Sequence, residues 1–193
     1  MLDPNSFPRP ALPKQGDETP DVLYHAVGRA LTHWEIAEQS YATLFNSLVS
    51  PQAPLFALQR AYGSLAAARG RHDMSKIAAE VYFRDRPHEE LEKLLRRFLK
   101  LYSDAGARRN ELAHGIVAGH LNPEAEQIKF TGYYLGPSNW NSNKRDEWLA
   151  AKYLYNSKMI DEYIEKVGIL ANQAYAVSKM LTDHYIGLSI LTE

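Results

Sequence analysis

A chain of 193 residues with 45% hydrophobic and 23% charged side chains holds enough apolar material for one globular domain and is not a wholly disordered polymer. Its 22 basic residues meet 23 acidic ones, so a net charge of −1 provides no whole-protein positive field for gripping duplex DNA. Cysteine is absent, which removes disulfides, thiol catalysis and cysteine-ligated metal centres, and no apolar run reaches the roughly 18 residues of a membrane span.

Residues 1–20 carry five prolines and no apolar period. They read as a flexible Pro-rich tail, mobile or laid extended on the surface, ahead of one domain over residues 21–193. The tail lacks the apolar core of a secretory signal, so a cytoplasmic protein with no membrane partner is expected. Residues 21–49 read as a long helix, with Val27, Leu31, Trp34, Tyr41, Phe45 and Leu48 at steps of three and four and Glu38 in the one gap. Ser50 and Pro51 stop it and supply a cap and first residue for a second helix, faced by Leu55, Leu58, Tyr62 and Leu65 and closed by Gly70. A third helix over residues 72–83 is predicted to turn Met74, Ile77 and Val81 inward. Pro87 opens a fourth, whose stripe is Leu91, Leu95, Phe98, Tyr102, Ala105, Arg109 and Leu112, with Gly115 placed as a helix-ending glycine.

The period then changes. Residues 116–121 and 127–135 are rich in β-branched and aromatic side chains, and Asn122 and Pro123 signal a turn, so a β-hairpin is predicted. Residues 136–144 read as a polar loop, 146–151 as a helical turn and 152–155 as a third short strand, giving a β insertion of about 116–155. The last helix is predicted from residue 157 to about 185, on the stripe Ile160, Tyr163, Val167, Leu170, Ala174, Val177 and Leu181. The expected fold is an all-α bundle of about five helices with a small β-hairpin insertion.

The chemistry-bearing run is Arg108, Arg109, Asn110, Glu111, Leu112, Ala113, His114, Gly115. Asn110 and His114 are four apart and share a helix face, whereas Arg109 and His114 stand about 140° apart around the wheel, so the long guanidinium must reach around to meet a common ligand. An arginine fork matches phosphate oxygens, asparagine fixes an orientation, and histidine exchanges a proton near neutral pH. RNA brings its own 2′-hydroxyl nucleophile. One proton-transfer residue and one cation are therefore enough, with no metal and no cofactor required.

Arg109, Asn110 and His114, followed by Gly115 and preceded by Ala113, resemble the Arg-Asn-x-x-x-His motif of HEPN domains (higher eukaryote and prokaryote nucleotide-binding). The resemblance implies a HEPN-like helical bundle, a metal-independent endoribonuclease in a toxin or phage-defence setting, and a homodimer that pairs two motifs in one composite site. It further implies an RNA substrate and an antitoxin or regulatory partner. Toxins modified by a nucleotidyltransferase antitoxin often carry tyrosine two positions after the histidine; Ile116 stands there in this chain. The alternative is a non-catalytic dimeric module that binds a nucleotide, RNA or protein through the same motif.

Around this core, Arg108 and Glu38 are candidate substrate-binding residues, Glu38 also suiting a buried-edge ion pair. Arg69, Arg71 and His72 suit either an RNA backbone or a solvated helix end, and Arg96 and Arg97 a groove or a charged flank. His114 and His120 lack a metal-ligand spacing. Tyr133, Tyr134, Trp140 and Trp148 offer base-stacking surfaces or packing onto the bundle.

Overall fold

The computed structural model describes residues 2–52, 56–122, 129–138 and 151–191. Among these, five helices carry most of the chain: α1 (Pro20–Val49), α2 (Phe56–Ser64), α3 (Ala68–Asp85), α4 (Glu89–Ala113) and α5 (Ser157–Leu191). Between α4 and α5, β1 (Gly115–Asn122) and β2 (Lys129–Pro137) form one antiparallel hairpin. Its register sets Val117 against Leu135 and Gly119 against Tyr133, with a bulge between His120 and Leu121. The all-α-dominated class with a small β element is thus observed. The predicted turn at 123, the helical turn over 146–150, Trp140 and Trp148 lie outside the described residues.

The chain divides into two compact units, and α1, α4 and α5 each supply a stretch to both. The first unit comprises Met1–Ser6, Glu35–Ser103 and Gly168–Glu193. Its core holds Tyr41, Leu44, Phe45, Leu95, Phe98, Tyr102, Tyr82, Leu170, Val177 and Leu181. Each such side chain contributes about 1.5–3 kcal/mol through burial. Tyr41 stacks on Tyr102 with ring centres 3.7 Å apart and meets His72 Nδ1 at 3.0 Å through its hydroxyl. Tyr82 donates to the Leu181 carbonyl at 2.7 Å, and burial pushes its phenol up to about 12.

Several boundaries differ from the sequence reading: α5 runs on to Leu191 instead of ending near 185, β2 takes in Gly136 and Pro137, read as loop, and α2 and α3 divide elsewhere. α2 ends at Ser64, and Gly70 lies in the first turn of α3 instead of closing a helix. The break falls at Leu65, whose carbonyl is taken by Arg71 Nη1 at 2.7 Å. α3 also presents the other face. His72, Ser75, Ala79, Tyr82 and Phe83 are buried, while Ile77 is 61% and Val81 43% exposed. Both faces have helical spacing; the inward one buries the Tyr82 and Phe83 rings, and its His72 is satisfied by Tyr41 and its Ser75 Oγ by the Arg71 carbonyl one turn back.

The second unit comprises Phe7–Trp34 and Asp104–Val167. Leu23, Ala26, Ala30, Trp34, Ala105, Leu112, Tyr134, Leu135, Ile160, Tyr163 and Val167 are its buried residues. Residues 7–17, read from sequence as part of a mobile or surface-laid tail, make specific long-range contacts here. Phe7 is buried and its ring meets Tyr163 edge-on. Asp17 pairs with Tyr133 across the free edge of β2, and its carboxylate accepts the Ser157 backbone N–H at 2.8 Å. An anion at the first turn of α5 complements that helix end, where Asn156 Oδ1 also accepts the Met159 N–H at 3.1 Å. The short strand expected at 152–155 is a single bridge, Tyr155 to Leu135, on the same edge of β2. The glycine pair Gly16 and Gly132 lets these backbones meet. Gly132 has φ +119°, and a Cβ there would stand 2.7 Å from the Gly16 carbonyl carbon.

Candidate functional site

α4 delivers the Arg109 to His114 segment. At its start, His88 Nδ1 accepts the Leu91 N–H at 3.3 Å, an imidazole acting as N-cap. At its far end Ala105 and Leu112 are fully buried, and Gly106 leaves room for Trp34, whose Cη2 would lie 3.4 Å from an added Cβ. Arg109 sits on this inward stripe as a half-buried residue, while Asn110 and His114 are exposed. The helical bonding continues to His114, whose N–H donates to the Asn110 carbonyl at 3.1 Å.

The two neighbouring arginines have different surroundings. Arg108 donates from Nη2 to Glu111 Oε1 at 3.0 Å, with only 15% of its side chain exposed. Arg109 has no carboxylate partner among the described residues, and its Nη1 donates to Asn110 Oδ1 at 3.3 Å; the Nε of both arginines is buried with no hydrogen-bond partner. Its charge is felt at Tyr163, which donates to the Ala105 carbonyl at 3.2 Å. Burial pushes that phenol up, and Arg109 and Arg108 oppose the shift. The site therefore offers a guanidinium without a carboxylate partner among the described residues, with an exposed amide and an exposed imidazole on the last two turns of one helix.

Gly115 follows, but not as a left-handed helix cap: among the described residues only Gly132 has a positive φ. The chain passes straight into β1, and the missing side chain at 115 makes room for Leu135, whose Cγ would lie 2.7 Å from a Cβ.

Glu38 and Arg108, the candidate substrate-binding residues, are both held in internal ion pairs. Glu38 is buried in the first unit and accepts Arg71 Nη2 and Nε, each at 3.1 Å. Arg71 is so engaged and His72 is buried, whereas Arg69 is exposed, 3.8 Å from Asp73, so the cluster does not present its three side chains together. Arg96 pairs with Glu92 on its own helix. No group of three or more potential metal ligands occurs among the described residues. No described helix is long and apolar enough to cross a membrane.

Sequence reasoning passed over Glu111 and Arg9. Glu111 is buried, and its Oε1 accepts Arg9 Nη2 at 2.6 Å and Nε at 3.0 Å. Its three-residue spacing from Arg108 on a helix was a legible signal; its pairing with Arg9 was not. Comparison with family models, with curated proteins and with solved structures returns no significant match.

Proposed function

We propose that this chain is a HEPN-like, metal-independent endoribonuclease acting as a homodimer, with Arg109, Asn110 and His114 from two copies in a composite site. The observation that carries this reading is Arg109, a half-buried guanidinium with no carboxylate partner among the described residues, beside exposed Asn110 and His114. A guanidinium not neutralised by a carboxylate suits a phosphate oxygen. In the proposed reaction the 2′-hydroxyl loses its proton and its oxygen attacks phosphorus. The bond to the 5′-oxygen breaks, that oxygen takes up a proton, and the products are a 2′,3′-cyclic phosphate and a 5′-hydroxyl. His114 moves the proton at one of these oxygens, Arg109 stabilises the charge that grows on the phosphorane, and Asn110 orients Arg109 through the contact they already make.

The test is incubation of the purified protein with single-stranded and structured RNA, with product ends identified by mass. His114→Ala should slow cleavage by about 10²-fold or more, since general acid–base catalysis contributes that much. Arg109→Ala should do likewise, and Arg109→Lys should recover only part, because a point charge cannot reproduce the fork. Variants that lose melting temperature but keep full cleavage would assign these residues to structure and favour the non-catalytic binding module.

A further inference from the structure

The proposed chemistry does not use Glu111, yet it is the most heavily bonded side chain of the segment. Its carboxylate is 10% exposed. Oε1 accepts two bonds from Arg9 and one from Arg108, and Oε2 accepts the Tyr155 hydroxyl at 2.6 Å. The Tyr153 hydroxyl reaches the Glu111 backbone carbonyl at 3.5 Å, one of the last carbonyls of α4, which have no partner within the helix. The Arg9 guanidinium also lies over the Tyr153 ring, 5.8 Å from its centre. Burial and the nearby carboxylate both push the Tyr155 phenol up, so it remains a donor. One carboxylate thus joins the N-terminal segment, the end of α4 and the segment before α5.

This network decides which of two adjacent arginines is available. Arg108 and Arg109 are about 100° apart on the helix, and a phosphate attracted to the site meets both charges. Glu111 engages Arg108 through Nη2, while Arg109 has no carboxylate partner among the described residues. Resting on the ribonuclease reading above, we infer that Glu111 is a positioning residue of the Arg109 and His114 site. It withholds Arg108 from the RNA and fixes the helix turn that carries Asn110 and His114, and Arg9 and Tyr155 hold it in place. The N-terminal segment is therefore part of the site's machinery.

The experiment uses the full chain and two probes: a single-stranded RNA, and the same RNA 2′-O-methylated throughout, which lacks the nucleophile and reports binding alone. Glu111→Gln removes the charge and keeps the shape. It should bind the methylated RNA about threefold or more tighter at low salt, with a steeper salt dependence, because Arg108 and Arg9 both lose their carboxylate and face phosphate. Its kcat on the unmodified RNA should fall about tenfold, as RNA is drawn to Arg108 and out of line. Arg108→Gln added to Glu111→Gln should return kcat toward wild type and remove the part of the affinity gain that Arg108 supplies. A merely structural Glu111 would weaken binding and kcat together, and the second substitution would not rescue them; that result overturns the inference. If Glu111→Gln fails to fold, Arg9→Gln should lower kcat several-fold at unchanged KM and Arg9→Lys should keep more than half of it. Arg9→Gln indistinguishable from wild type overturns the inference too. Wild-type protein that neither binds nor cleaves sinks the ribonuclease reading and this inference with it, whereas an active wild type with unaffected variants sinks the inference alone.

Discussion

Gly115→Ala adds a single methyl group at the joint between α4 and β1. That carbon would stand 2.7 Å from Leu135 Cγ, 2.8 Å from Leu135 Cδ1 and 3.0 Å from the Glu111 carbonyl oxygen. Backbone strain is no part of the cost, because Gly115 does not have a positive φ. Neither neighbour can easily give way. Leu135 is 2% exposed and exchanges two backbone hydrogen bonds of 2.9 Å with Tyr155. Glu111 is held by Arg9, Arg108 and Tyr155. Overpacking of this kind costs about 1–3 kcal/mol. Taking about 2 kcal/mol, the melting temperature of a chain this size should fall by roughly 4–8 °C. Leu135→Ala alone should cost about 2–5 kcal/mol by leaving a cavity. In that background the two clashes with Leu135 are gone and only the 3.0 Å contact with the Glu111 carbonyl remains, so the double variant should be about 1–2 kcal/mol more stable than the two single losses added together. Urea unfolding followed by circular dichroism supplies all four corners of the cycle. An unchanged midpoint for Gly115→Ala, or strictly additive losses, would refute the crowding argument.

Glu38→Ala strips Arg71 of its buried carboxylate and should lower stability by about 3 kcal/mol, with Arg71→Ala recovering part of it in the double variant. A loss below about 1 kcal/mol in urea would show that the pair is not what holds Glu38 inside. Burial lowers His72 below its usual 6.5, with Lys76 adding to the shift and Asp73 opposing it; burial likewise lowers His184, aided by His88 and Arg86. The unfolded chain binds these protons more tightly, so this stabilisation is full above pH 6.5 and is lost as pH falls toward the folded-state values. The urea midpoint should therefore be lower at about pH 5.5 than at about 7.5, and a rise on acidification would contradict the assignment. RNA cleavage should persist in excess chelator, since no proposed step uses a Lewis acid; activity lost on chelation and restored by magnesium or manganese would reject the mechanism. Light scattering at micromolar concentration should give twice the chain mass, and a strict monomer would remove the composite site.

The α5 stripe from Ile160 to Leu181 is buried at every position read from the sequence, and so is the apolar part of the α4 stripe. Those helices have one apolar face each, and helix geometry alone turns a spacing of three and four into a face. α3 offers two candidate faces, and the inward one carries His72, which bonds Tyr41 31 residues earlier, and the buried Tyr82 and Phe83, while Ile77 and Val81 stay exposed; no local spacing encodes that choice. The run from Arg109 to His114 was legible as a chemical grouping because its members are neighbours on one helix. That Arg108 is engaged and Arg109 is not depends on Glu111, held by an arginine 102 residues earlier. Gly115 suits a helix cap by its sequence position, but the reason for it lies across the hairpin in Leu135. The N-terminal segment resembles a solvated tail because its prolines forbid regular structure. Its order comes from Phe7, Arg9 and Asp17, each bonded or packed to groups far along the chain. Local periodicity follows from backbone geometry and can be read in a dozen residues. The partner of a charge, the neighbour of a glycine and the inward side of an ambivalent helix depend on which distant segments close upon one another, and only the folded chain decides that.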